Sequence, residues 1–225
     1  MAGLSFALGA SLLALAVPRT MAAWAGLGAQ PALHEVKEAR EPRPEDIAAG
    51  IAALQRAIEW VPSAKRLIDL ATLELEEAKR LPIGEPRREE MLRSAEAHFV
   101  EGLSLNPVDG TAWLRLAWTR AFLGASARSV VSCLVQSIDM APNQRNLWLV
   151  RARMLLAYWP WMNAEEAPIV RRQFRTIWTI DPAMRRPLVQ IAHALKRLSV
   201  LEESLKDDPE AQTEFEKLKD ALPKP

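Results

Sequence analysis

Residues 106–142 read NPVDGTAWLRLAWTRAFLGASARSVVSCLVQSIDMAP, and this stretch decides the fold. Asn106-Pro107 closes one segment, and Trp113 follows the proline by six residues. Pro142 comes 35 residues after Pro107, and Trp148 again follows by six. Between the two prolines lie a helical pattern, a break at Gly124, and a second helical pattern opening at Ser126. A recurrence of this size marks an array of helix pairs, in which each pair buries its apolar face against the next.

Prolines 62, 107, 142 and 182 serve as a ruler for the rest of the chain. Twelve, eight and five residues before them stand Gly50, Leu54 and Ala57; Ala95, Phe99 and Gly102; Val130, Leu134 and Ser137; Val170, Phe174 and Ile177. Six, nine and ten residues after them stand Ile68, Ala71 and Thr72; Trp113, Leu116 and Ala117; Trp148, Arg151 and Ala152; Leu188, Ile191 and Ala192. Small residues recur where helices must cross closely, and large apolar ones where a side chain must fill the hole beside the crossing. The expected helices run over about 45–59, 63–80, 87–104, 109–123, 126–139, 144–159, 164–179, 183–205 and 209–221. Pro44 ahead of Glu45 and Asp46 suits a helix start, Ser63 and Ser126 suit N-caps, and Gly124 suits a C′ position. Helix 45–59 looks like the second member of a pair whose first member is missing or replaced by the N-terminal segment.

This pattern resembles the tetratricopeptide repeat family, over roughly residues 46–200. The spacings of 45, 35 and 40 between the prolines depart from the constant 34 of that family. Its usual tyrosine site, thirteen residues after the proline, holds Leu75, Arg120, Leu155 and Leu195. With an uncharged run at the N-terminus and a proline- and charge-rich stretch after it, the chain divides into 1–29 (membrane anchor or signal segment), 30–44 (linker), 45–208 (TPR-like repeat domain) and 209–225 (charged C-terminal helix or tail). For the repeat domain the resemblance implies an all-α fold, a TPR-like antiparallel helix-hairpin solenoid that follows the N-terminal hydrophobic segment. It also implies that the first helix of each pair lines an inner surface. The exposed positions there are Arg66, Asp69 and Leu73; Thr111, Leu114 and Trp118; Asn146, Leu149 and Arg153; Arg186, Val189 and His193. Arg66, Leu114, Trp118, Leu149, Arg153, Arg186 and His193 form the candidate binding set, suited to an extended peptide or a partner helix. Trp118 and Arg153 are its centre, because Trp and Arg dominate interaction hot spots. The family's clamp for a peptide carboxylate uses an asparagine where this chain has Asp69, Leu114, Leu149 and Val189, so that mechanism is not supported. Arg115, Trp118, Arg151 and Arg153, with Trp113 and Trp148, suggest a stacking and cation–π cluster.

The N-terminal segment is read separately. Residues 2–17 carry no charge, Pro18-Arg19 interrupts, and residues 20–29 are again uncharged with Trp24 among them. Two readings stand. One is an export signal cut after Ala25, where Ala23-Trp24-Ala25 fits the small-x-small pattern, with the protein then secreted or periplasmic. The other is an uncleaved single anchor with Trp24 at the interface and the domain on the periplasmic side. Residues 30–44, rich in proline and charge, read as a linker in which His34 is exposed. Tyr158-Trp159-Pro160-Trp161-Met162 reads as a loop folded over the core, or as an aromatic docking knob.

Composition narrows the function. The 225 residues are 49% apolar with a formal net charge of +1, so nothing global points to nucleic acid. The single Cys133 excludes an internal disulfide and sits in an apolar run as a buried small residue. Eight tryptophans are expected mostly between helices. His34, His98 and His193 stand alone, Glu74, Glu76 and Glu77 have solvent-face spacing, and no zincin, CxxC, nucleophile-elbow or phosphate-loop motif is present. The expectation is a non-enzyme, with no cofactor and no metal. It is a protein-interaction scaffold at the bacterial cell envelope with a membrane-associated protein partner, lipid contact through the N-terminus, and self-association through the exposed ends of the array. The apolar N-terminus, degenerate repeats and tryptophan-rich helices bear a general resemblance to accessory proteins of bacterial envelope or polysaccharide machinery. The alternative is a groove that binds a small apolar or anionic ligand.

Overall fold

In the computed structural model, residues 2–223 are described, with side chains from residue 14 onward. The chain is all-helical, with no β-strand among the described residues. It forms two compact units, Met1–Pro107 and Val108–Pro225. The ruler positions pack as their spacing requires: all are buried except Trp113 and Ile191, which are half-buried.

The first unit contains α1 (Ala2–Ala25), a 3-10 turn (Gly26–Ala29), α2 (Gln30–Lys37), α3 (Pro44–Trp60), α4 (Ala64–Arg80) and α5 (Pro86–Leu105). Pro44 stands at the start of α3 with Glu45 and Asp46 in its first turn, where the helix dipole favours acids. Ser63 accepts the Arg66 amide at 3.3 Å and caps α4. α3 packs on α4 along one side and on α1, the 3-10 turn and α2 along another. The core there joins Ala29, Ala32, Ile47, Leu54, Leu70 and Leu73, with Leu33, Val36, Ile51 and Ile58 at its margin. The segment expected as a linker is therefore partly structural: residues 30–37 form a helix, and Ala32 is in the core. At the α4–α5 crossing, a Cβ on Gly102 would stand 3.2 Å from the Ala64 carbonyl oxygen and 2.8 Å from Ile68 Cγ1. Only a residue without a side chain lets the backbones approach so closely.

The second unit contains α6 (Gly110–Phe122), α7 (Ala127–Met140), a 3-10 turn (Arg145–Leu147), α8 (Trp148–Ala157), a 3-10 turn (Trp159–Trp161), α9 (Glu166–Ile180), α10 (Pro182–Ala194), α11 (Leu198–Leu205) and α12 (Pro209–Asp220). α6 packs on α7, α7 on α9, α8 on α10, and α11 and α12 on α9 and α10 respectively. The long helix expected over 183–205 is two helices. Lys196 takes a left-handed φ of 56°, its amide bonds to His193 O, and the Arg197 amide bonds to Ala192 O at 2.7 Å. That is the Schellman ending, made here without glycine. The helix expected over 144–159 likewise begins as a 3-10 turn and ends at Ala157. α12 is docked: Phe215 is buried and meets the Trp178 ring at 6.2 Å between centroids, and Arg185 pairs with Glu214.

Cys133 is buried. Trp148 and Trp178 are buried as expected, whereas Trp24, Trp60 and Trp161 are exposed. Among the described residues no helix is long and apolar enough to cross a membrane. The side chains of residues 2–13, most of the uncharged run, lie outside those described.

Candidate functional site

The seven candidate residues separate on the structure. Arg66 belongs to the first unit, where its guanidinium donates to the Val61 carbonyl at 2.8 Å and closes the turn ahead of α4. Leu114, expected on the inner surface, is 2% exposed and belongs to the core. The same correction applies to Leu73 and Val189, both fully buried. The 13-residue α6 carries Ala112, Leu114, Leu116 and Ala117 around more than one face, so it is covered more widely than an inner-surface helix would be. Trp118 is half-buried on α6.

Leu149 and Arg153 stand one turn apart on α8; Arg186 and His193 stand two turns apart on α10. These two helices pack against each other. Arg153 and Arg186 are exposed, with Val150 and Gln190 exposed beside them. The charge pattern is unequal. Arg128, Arg145, Arg171, Arg175 and Arg185 each have a carboxylate partner, on Glu166, Asp181, Glu203, Asp207 and Glu214. Arg153 and Arg186, like the exposed Arg172 on α9, have none among the described residues. His193 lines a shallow hollow of about 420 Å³ with Ala194, Lys196 and Leu198, opened by the break between α10 and α11. Sequence reading missed Lys196 and Leu198, because the break carries no glycine or proline to announce it.

The expected arginine–tryptophan cluster is rearranged. Arg145 lies over Trp148 at 5.8 Å, and Arg151 is fully buried beneath the end of α7. Arg171 lies over Trp159 at 5.5 Å. In the aromatic loop, Tyr158 meets Trp161 at 5.6 Å, and the Trp161 carbonyl accepts from Arg128 at 3.0 Å, while the Trp161 ring is half exposed.

One polar cluster contradicts its sequence reading. Glu74, expected on a solvent face, is 2% exposed between α4 and α5. Its two oxygens meet Ser94 Oγ at 2.7 Å and His98 Nδ1 at 2.8 Å. The bond to Glu74 raises the His98 pKa above its ordinary 6.5, with burial acting in the opposite direction and the negative charges of Glu74 and Glu101 adding to the rise. A base whose pKa is raised on folding contributes stability fully below its unfolded value, and loses it as pH climbs through the folded value. Protection of the α4 and α5 amides, taken relative to their intrinsic base-catalysed exchange, is therefore expected to fall as pH rises above the ordinary histidine value, and His98→Gln is expected to flatten that fall. An unchanged slope in the variant would remove His98 as its source. Among the described residues no three His, Cys, Asp or Glu side chains gather as a metal site would require.

No protein-family model matches the chain, and no curated protein does.

Proposed function

We propose that the chain is a non-catalytic interaction module built from tetratricopeptide-like helix pairs, acting at the bacterial cell envelope. Its α8–α10 face receives an acidic segment of a membrane-associated partner protein. The observation that carries this reading is the pair of exposed guanidiniums, Arg153 and Arg186, on two helices that pack against each other and without carboxylate partners among the described residues. An extended or helical acidic segment would supply those carboxylates, and bidentate arginine contacts would fix its register. Leu149 and Val150 offer the apolar contact such a segment needs beside its charges. The general resemblance to envelope and polysaccharide accessory proteins supports the setting.

A photo-crosslinking residue in place of Gln190, between Arg186 and His193, tests this in cells. It is expected to trap one protein partner. Arg153→Ala together with Arg186→Ala is expected to reduce the yield about tenfold or more, since each hot-spot arginine is worth upward of about 1 kcal/mol. Arg93→Ala, which breaks the exposed pair with Glu89 in the first unit, serves as the control. Equal yields from the double variant and the control would defeat the reading.

Lys196 at the edge of the hollow, with Leu198 and Ala194 beside it, favours a second reading, a small apolar or anionic ligand. Native mass spectrometry separates the two: a co-purifying small molecule lost in Lys196→Ala supports the ligand, and a bare chain supports the protein partner.

A further inference from the structure

We propose that residues 21–29 are a permanent wall of the first unit, retained in the working protein, and that residues 14–20, which carry no buried side chain, lie in a lipid bilayer entered by the N-terminal run of the same helix. The inward half of the argument is packing. Ala22 and Ala29 are fully buried. A Cβ on Gly28 would stand 3.1 Å from Ala53 Cβ, one on Gly26 would stand 3.6 Å from Ala57 Cβ, and one on Gly50 would stand 3.3 Å from Ala29 Cα. Small residues thus face small residues along the whole crossing of α3, and the N-terminal segment occupies the side of α3 that would otherwise expose Ile47 and Leu54. Ala25, the expected cleavage position, is helical at φ −57° and ψ −36° and joins α1 to the 3-10 turn without an extended residue between them.

The outward half is chemistry. Leu15, Val17, Trp24 and Leu27 are 58%, 50%, 71% and 58% exposed. The outer face of α3, by contrast, carries Gln55, Arg56 and Glu59. Arg19 is the one charge between residues 2 and 29, and its guanidinium donates to Leu15 O at 2.8 Å. The Thr20 hydroxyl donates to Ala16 O at 3.0 Å. The Thr20 bond is the i−4 back-bond that Thr176 and Thr213 also make at the surface, and Arg19 keeps further N–H groups to offer headgroups at an interface. The uncharged residues 2–17 would rise about 24 Å at 1.5 Å each, most of a hydrocarbon core of about 30 Å. Arg19 and Trp24 then follow where snorkelling cations and interfacial aromatics belong. That order of apolar run, cation and exposed indole favours lipid over a second copy of the chain as the occupant.

The test uses the full chain in phosphatidylcholine–phosphatidylglycerol vesicles with brominated acyl chains, and an environment-sensitive fluorophore on Leu15→Cys, Val17→Cys, Gln55→Cys or Arg93→Cys. Quenching is expected at residues 15 and 17 and absent at 55 and 93. Intact mass of the membrane fraction from cells is expected to retain Trp24. A product beginning at Gly26, or labels at 15 and 17 that stay unquenched, overturns the proposal; unquenched labels that instead contact one another across copies assign the face to self-association. None of these readouts involves Arg153 or Arg186, so failure here leaves the α8–α10 reading standing, and the reverse.

Discussion

Arg151→Met is expected to cost the second unit about 3 kcal/mol, within the roughly 1–3 kcal/mol assigned to each buried acceptor deprived of its donor. Arg151 is fully buried on α8, and no carboxylate ion-pairs with it among the described residues. Its guanidinium donates to Ser137 O at 2.9 Å, Ser137 Oγ at 3.2 Å and Ala141 O at 3.2 Å. Burial pushes its pKa down to about 10, so the charge persists at neutral pH and the fold bears its desolvation. The counter-charge is the carbonyl end of α7, where a helix dipole concentrates negative potential. Ser137 Oγ in turn donates to Gly110 O at 2.6 Å, tying the start of α6 to the same point.

Two effects compete in this substitution. Replacing a buried ion by a well-packed apolar residue is often neutral or stabilising when its partner ion leaves too. Here the partners are backbone and stay behind. The Ala141 carbonyl retains only a 3.4 Å bond from the Gln144 amide, and the Ser137 carbonyl only a 3.3 Å bond from the Ala141 amide. The loss of good donors therefore outweighs the relief of desolvation. Arg151→Lys is expected to fall between the two, because one ammonium cannot span three acceptors. Urea unfolding followed by the buried Trp148 measures the difference. A Met variant within about 0.5 kcal/mol of the parent, the range of an ordinary surface change, would mean that the carbonyls find other donors.

The same residue shows where sequence reading reached and where it stopped. The spacing of small and large residues around each proline identified buried positions well, because packing of helix against helix repeats with the helical turn. Position 151 fitted that pattern as a place and broke it as a residue. Nothing in the sequence says that a buried arginine's partners are carbonyls at a helix end 10 to 14 residues earlier. Glu74 failed for a similar reason: its solvent-face spacing was outweighed by Ser94 and His98, which meet it from another helix. The break at Lys196 was hidden because the residue adopts a left-handed conformation that glycine usually signals. Of the candidate set, Leu149, Arg153, Arg186 and His193 stand on two helices that pack against each other. Leu114 lies in the core instead, because an inner-face offset carried from one pair to the next assumes equal coverage of every helix, and α6 is covered on more sides. The N-terminal segment reads in sequence as an uncleaved anchor or a cleaved signal; the structure adds that Ala22 and Ala29 are buried and that a Cβ on Gly28 would meet Ala53 of α3.

Gly50→Val tests that packing directly and is expected to destabilise the first unit by about 2–3 kcal/mol, toward the upper end of overpacking costs. A Cβ at residue 50 would stand 2.6 Å from Leu73 Cδ1 and 3.3 Å from Ala29 Cα. Leu73 can turn its methyl only into an already closed core, since it is fully buried. Ala29 Cα is backbone and can retreat only if the 3-10 turn and α1 move with it. Against this stands helix propensity, which favours alanine over glycine by about 1 kcal/mol in a helix interior. Gly50→Ala therefore brings opposing terms of similar size and is expected to lie near neutrality. Valine adds two methyls on a stiff χ1, gains less propensity than alanine, and leaves the wedge unrelieved. The release is expected to be local: amides of residues 29–36 should exchange faster, while those of α5 keep their protection. Ala48→Val, at an exposed position of the same helix, carries the β-branched penalty without the wedge. If the two valine variants lose stability equally, the close crossing of α1 and α3 contributes nothing, and the N-terminal segment is a passenger on the unit. If only Gly50→Val opens residues 29–36, the small residues on both sides of the crossing are what hold α1 and its 3-10 turn against α3.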